Sequence, residues 1–89
     1  MESRPSEIVR SLAGHDAGMY YMVLGVEGDK LYLVNGKNKK LANPKIKKQK
    51  HVQILRGQSE DILSRMKEGK LNDADVIHRL RIGKEIENV

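Results

Sequence analysis

The chain has no cysteine, no tryptophan and no phenylalanine, and only two prolines. Without cysteine, disulfides and thiolate metal sites are excluded, which suits a cytoplasmic compartment. Tyr20, Tyr21 and Tyr32 are the only aromatics. Long apolar runs are missing as well. No stretch approaches the roughly twenty residues that span a bilayer. The first residues, MESRPSEIVRS, put Glu, Arg and Pro where a secretory signal needs an apolar run. A soluble, cytoplasmic protein with no membrane partner is expected. At 89 residues it makes one domain, or one domain with an appendage, around a modest core.

Acid is missing from one place in particular. The net charge is +5, but residues 1–36 sum to −2 and residues 59–89 to −1. Residues 37–58 hold Lys37, Lys39, Lys40, Lys45, Lys47, Lys48, Lys50 and Arg56 with no Asp or Glu, so they sum to +8. A segment of that density repels itself unless it meets an anion or is well solvated.

What is present organises around Ile8 to Val26, IVRSLAGHDAGMYYMVLGV. Ile8 to Leu12 reads as a strand. Gly14 and Gly18 flank an Asp in a tight loop, because glycine supplies backbone conformations other residues resist. Met19 to Val26 is apolar enough for a strand with both faces occupied. Met1 to Glu7 reads as a loose leader. Glu27-Gly28-Asp29 is a hairpin turn, and Lys30 to Val34 a third strand. Asn35-Gly36 predicts a two-residue hairpin, since both residues tolerate positive φ. A short fourth strand would then return within Lys37 to Ala42, ended by Asn43-Pro44. Lys45 to Lys50 would be a charged connection, and His51 to Leu55 a fifth strand. Five short strands with turns at this spacing argue a mainly β fold, a small, strongly bent antiparallel barrel over residues 1–58.

After Gly57 the apolar period changes from two to three-to-four. Ser59 caps a helix with Glu60 and Asp61 in its first turn, where the dipole favours acids. Ile62, Leu63 and Met66 share its apolar face, and Gly69 ends it. Asn72 caps a second helix carrying Val76, Ile77 and Leu80, which stops near Gly83 or runs on through Ile86. These stripes predict a helical extension, residues 59–89, docked on or beside the barrel.

The order of glycine loop, VLGVEGDKLYLVNGKNKKLANPKIKKQKHVQIL, a helix ending EGK and a helix opening NDADVIHRL carries a resemblance. Strand, glycine loop and apolar strand resemble the KOW motif. The whole stretch, residues 7–82, is similar to small bacterial KOW-domain RNA-binding proteins, related to large-subunit ribosomal protein fourteen of archaea and eukaryotes. Lys39 to Val52 is its most distinctive part. The resemblance implies an SH3-like barrel, a short helical tail, and ribosomal or other structured RNA as partner. One departure is that His15 and Ala17 stand between the glycines, where the family tends to carry Arg or Lys.

The chemistry available is electrostatic. Lysines hold phosphates as point charges and release condensed counterions. Seven lysines within fourteen positions, Lys37 to Lys50, with His51 and Arg10 as lesser contributors, form the candidate RNA-binding ridge. Tyr20 and Tyr21 are neighbours in a strand, so one points inward and one outward. The outward one, Tyr20, and Tyr32 are the candidates for stacking on a base. The competing reading is that the tyrosines fill the core in place of Phe and Trp.

Catalysis finds little support. His15, His51 and His78 have no metal-ligand spacing, and Gly14 to Gly18 lacks the Lys-Ser/Thr of a phosphate loop. His15-Asp16 reads as an exposed His beside a turn Asp. No catalytic residues, metal or other cofactor are expected, and a monomer is. Two non-RNA readings stand beside this one. One is a protein-interaction module of the transcription or translation machinery using the same barrel. The other, DNA binding through the C-terminal helices, is disfavoured because residues 72–82 are neutral.

Overall fold

The computed structural model describes the backbone of residues 2–87 and the side chains of residues 2–83. Five strands form one antiparallel sheet: β1 Ile8–Ser11, β2 Tyr20–Glu27, β3 Lys30–Val34, β4 Lys45–Lys48 and β5 Val52–Arg56. Helices α1, Glu60–Lys67, and α2, Asp73–Glu87, follow. The spatial order is β4-β3-β2-β1-β5, so the two edge strands are consecutive in sequence. In a flat sheet they would lie four strand spacings, roughly 19 Å, apart. They are joined by one 3-10 turn, Gln49–His51. Four residue steps reach at most about 14 Å when extended and less in a 3-10 turn. The sheet therefore curls until its edges approach each other. The result is the mainly β, five-stranded barrel-like fold expected from the sequence.

Alternation along the strands builds two cores. Val9, Tyr21, Val23, Leu31, Leu33 and Val52 turn inward and fill the curl. Ile8, Met22 and Val34 point out of the other face, where Val76 and Leu80 of α2 and Ile62 of α1 cover them. That is why β2 is apolar at successive positions: Tyr21, Met22 and Val23 serve both cores. The hairpin expected at Glu27-Gly28-Asp29 forms; Glu27 pairs with Lys30, so its loop is the two residues Gly28 and Asp29, with Gly28 at φ +61°.

The helices follow their caps. The Ser59 hydroxyl accepts from the Ile62 N–H at 3.2 Å. Gly69 at φ +69° lies just past α1. Asn72 Oδ1 accepts from the Asp75 N–H at 2.8 Å. α2 runs through Gly83 to Glu87. A Cβ on Gly83 would run into Ile8 Cδ1, so the missing side chain lets the helix lie close on β1. Among the described residues no helix is long and apolar enough to cross a membrane.

Two expectations are overturned. The leader is not loose, because Ser3, Ser6 and Glu7 are buried. The Ser6 N–H donates to Val23 O at 2.7 Å, its Oγ accepts from the Ser59 N–H at 2.8 Å, and its carbonyl accepts from Arg79. Ser3 is tied to Gln49 through both its N–H and its Oγ. The fourth strand is not in Lys37 to Ala42 either; it is Lys45–Lys48, the stretch read as a connection. The cause is Asn35. Its Oδ1 accepts from the N–H groups of both Lys37 and Lys39 at 3.0 Å, and its own N–H donates to Lys39 O. This closes a larger turn than the two-residue hairpin that Asn-Gly signals. Leu41 N–H then donates to Asp73 Oδ1, holding residues 35–44 against the start of α2.

Candidate nucleic-acid interface

The glycine loop between β1 and β2 is built on one carboxylate. Asp16 Oδ1 accepts from Ser11 Oγ at 2.9 Å, and Oδ2 accepts from the Tyr21 hydroxyl at 2.9 Å. Lys47 Nζ lies 3.0 Å from Oδ1 and Lys45 Nζ 3.6 Å from Oδ2. Lys47 also donates to Ala13 O at 2.8 Å. Partial burial by itself would raise the Asp16 pKa; the hydrogen bonds from Lys47, Tyr21 and Ser11 and the Lys47 charge outweigh it and hold the carboxyl well below its usual range. Burial and the Asp16 carboxylate push the Tyr21 phenol up to about 12. The Asp16 carboxyl therefore stays ionised at any ordinary pH. Gly14 and Gly18, at φ +86° and +90°, provide the sharp bends that bring Asp16 back over the strands.

This node divides the lysine ridge. On β4 the side chains alternate: Lys45 and Lys47 face the interior side with their partners Leu33 and Leu31, and Ile46 and Lys48 face outward. Lys47 keeps only a tenth of its side-chain surface in solvent. It joins strand to loop and is not free for a phosphate, while Lys45, less buried, is shared between Asp16 and solvent. Lys37 and Lys40 are exposed and Lys39 half-buried in the loop before β4; Lys48 and Lys50 are exposed at its far end. None of these five makes an ion pair with a described residue. The free cations therefore run along one sheet edge, from the 35–44 loop to the 3-10 turn. There Lys48 and Lys50 line a cleft of about 570 Å³ with Asp29, Gln49, Val52 and Ile54. His51 is half-buried beside it, its carbonyl accepting from the Leu12 N–H.

The structure does not bring Arg10 and Tyr20 to that edge. They are register partners on β1 and β2, three and two strands away from β4. Arg10 donates to Gln53 Oε1 at 3.0 Å, and Tyr20 packs against the helix-covered core. Tyr21 is buried, as expected of the tyrosine that fills the core. Tyr32 stays half-exposed on the outward face of β3, its hydroxyl donating to Glu27 Oε1 at 3.1 Å.

One cation escaped the sequence reading. Lys30 is exposed and directly opposite Lys48 across the β3–β4 ladder. The signal for it was the alternation Lys45-Ile46-Lys47-Lys48, which marks a strand once the charged residues are not taken as a loop. The helices add Arg79, whose guanidinium spans Ser6 O and Gly57 O and fastens α2 to both. Burial and the neighbouring Arg56 charge lower its pKa. Compared with known proteins, the chain matches no family model and no curated protein.

Proposed function

We propose that the protein is a non-catalytic RNA-binding protein, ribosome-associated or ribosomal-protein-like, that holds structured RNA along the β4 edge of its barrel. One observation carries this reading. The lysines of the acid-free segment 37–58 lie on β4 and the loops at its two ends, with Lys37, Lys40, Lys48 and Lys50 exposed and free of ion pairs with any described residue. A row of mobile ammonium groups suits a phosphate backbone. It supplies affinity and register but little sequence discrimination. Recognition then rests on the shape of the folded RNA. The Asp16–Lys47 node keeps the edge rigid, and the Lys48–Lys50 end supplies contacts beside the cleft. The resemblance to KOW-domain RNA-binding proteins points to ribosomal RNA as the first candidate.

Crosslinking in cells followed by sequencing of the attached RNA tests the proposal. Enrichment of ribosomal RNA segments, lost in a Lys48→Ala/Lys50→Ala variant, is the expected outcome. A protein that co-purifies unchanged after nuclease treatment, with no RNA enriched, would instead favour the protein-interaction module.

A further inference from the structure

The outward face of the sheet is covered by α2 over Ile8, Met22 and Val34. The same face continues past Val34 onto Tyr32, Lys30 and, across the ladder, Ile46 and Lys48. Two features there have no internal explanation. Ile46 is 57 % exposed in the middle of a strand, the most exposed large apolar side chain described. Lys30 and Lys48 are direct cross-strand partners, a like-charge pair that disfavours the ladder unless an anion joins it. Tyr32 lies opposite Ile46 on one side and Gly25 on the other. A Cβ on Gly25 would come within 4.0 Å of the Tyr32 ring. The one acid opposite Lys30 is Glu27, and it accepts the Tyr32 hydroxyl.

We propose that this half-face is a stacking site for an unpaired base of single-stranded RNA, with Tyr32 and Ile46 as its platform and Lys30 and Lys48 holding the flanking phosphate. Charge complementarity selects the occupant. An apolar pair bordered by two opposed lysines suits a ligand with a flat π-face and an anion one step away. Successive same-face positions on a strand are about 7 Å apart, so the lysine pair sits one nucleotide-sized step from the ring. Stacking on an aromatic is tolerant of base identity, in keeping with a protein whose remaining contacts are phosphate contacts. The inference rests on the proposed RNA binding and adds to it: besides folded RNA held by the edge, an extruded or loop nucleotide is held by the face.

The absence of tryptophan makes this directly observable, since Tyr20, Tyr21 and Tyr32 are the whole intrinsic fluorescence of the protein. The probe is a single-stranded oligouridylate about ten nucleotides long, within the span of small sheet-based binding sites. A duplex RNA of equal length is the comparison. The oligouridylate should quench part of the tyrosine emission as it binds. Tyr32→Phe should bind with unchanged affinity and lose most of the quench. Tyr32→Ala and the uncharged Ile46→Ser should each weaken single-strand binding, Tyr32→Ala by about tenfold, and leave duplex binding within about twofold. A quench that persists in Tyr32→Phe overturns the assignment to Tyr32. Salt-sensitive RNA binding without any quench, or equal losses on single strand and duplex, overturns the stacking site and leaves edge binding standing. No binding of either RNA, or a peptide partner displaced by Ile46→Ser, overturns both.

Discussion

At the scale of single residues, Asp16 and Ser6 decide most. Asp16 is the acid through which the loop, β1, β2 and β4 are joined, by way of Ser11, Tyr21, Lys45 and Lys47. Removing its charge leaves Lys47 nearly enclosed without a counter-ion, so Asp16→Asn should destabilise the protein by about 2 kcal/mol at neutral pH. The sign with pH follows from a carboxyl held below its ordinary value. Its contribution is complete above the unfolded pKa of about 3.9 and is lost as pH falls toward the lower folded pKa. Urea melts of wild type and Asp16→Asn should therefore differ most at pH 7 and converge as pH drops below about 4. Ser6 sits at φ +74° with its N–H, Oγ and carbonyl all engaged. Ser6→Gly relieves the backbone strain but strands the Ser59 N–H, for a net cost of about 1 kcal/mol. Ser6→Val adds a β-branched side chain to a left-handed backbone and should cost more, about 2–3 kcal/mol, in the same melts.

At the scale of elements, α2 acts as the cover of the outer core. Leu80 is 7 % exposed against Ile8 and Met22 in that cluster. Leu80→Asp would bury an unpaired charge there and should cost about 3 kcal/mol or more, seen as a lowered thermal midpoint by circular dichroism. RNA affinity of the folded fraction should fall less than in Lys48→Ala/Lys50→Ala, since α2 holds the 35–44 loop through Asp73 and not the Lys48–Lys50 end. The elements were legible where local chemistry and tertiary context agreed. Lys30 to Val34 alternates cleanly between two turns and is a strand over those residues. Ser59, Gly69 and Asn72 mark helix ends that form where they predict. β4 was not legible, because its charges imitate a loop and because Asn35-Gly36 signals a tighter hairpin than the Asn35 side chain allows. The leader was not legible either: Ser3 and Ser6 are polar in composition but buried by partners about fifty residues away. The same separation hid the tie between Asp16 and Lys47, 31 positions apart, and so hid which lysines of the ridge remain free.

At the scale of the whole molecule, the excess positive charge has one outlet. Segments before residue 37 and after residue 58 are close to neutral, and the seven lysines of the +8 segment lie on β4 and its adjoining loops, with Arg56 alone on β5. A salt titration of ribosomal RNA binding, with Lys48→Ala/Lys50→Ala and Lys47→Met proteins alongside, tests that most directly. Log affinity of the wild type should fall linearly with log salt, with a slope on the order of −0.7 to −0.9 for each phosphate contacted. Lys48→Ala/Lys50→Ala should weaken different structured RNAs by similar factors, flatten the slope by about one to two contacts' worth, and leave stability near wild type. Lys47→Met should lower stability and leave the slope as it is, because that ammonium is held by Asp16 and Ala13. A Lys48→Ala/Lys50→Ala slope equal to that of the wild type, or no measurable binding near physiological salt, would contradict the account.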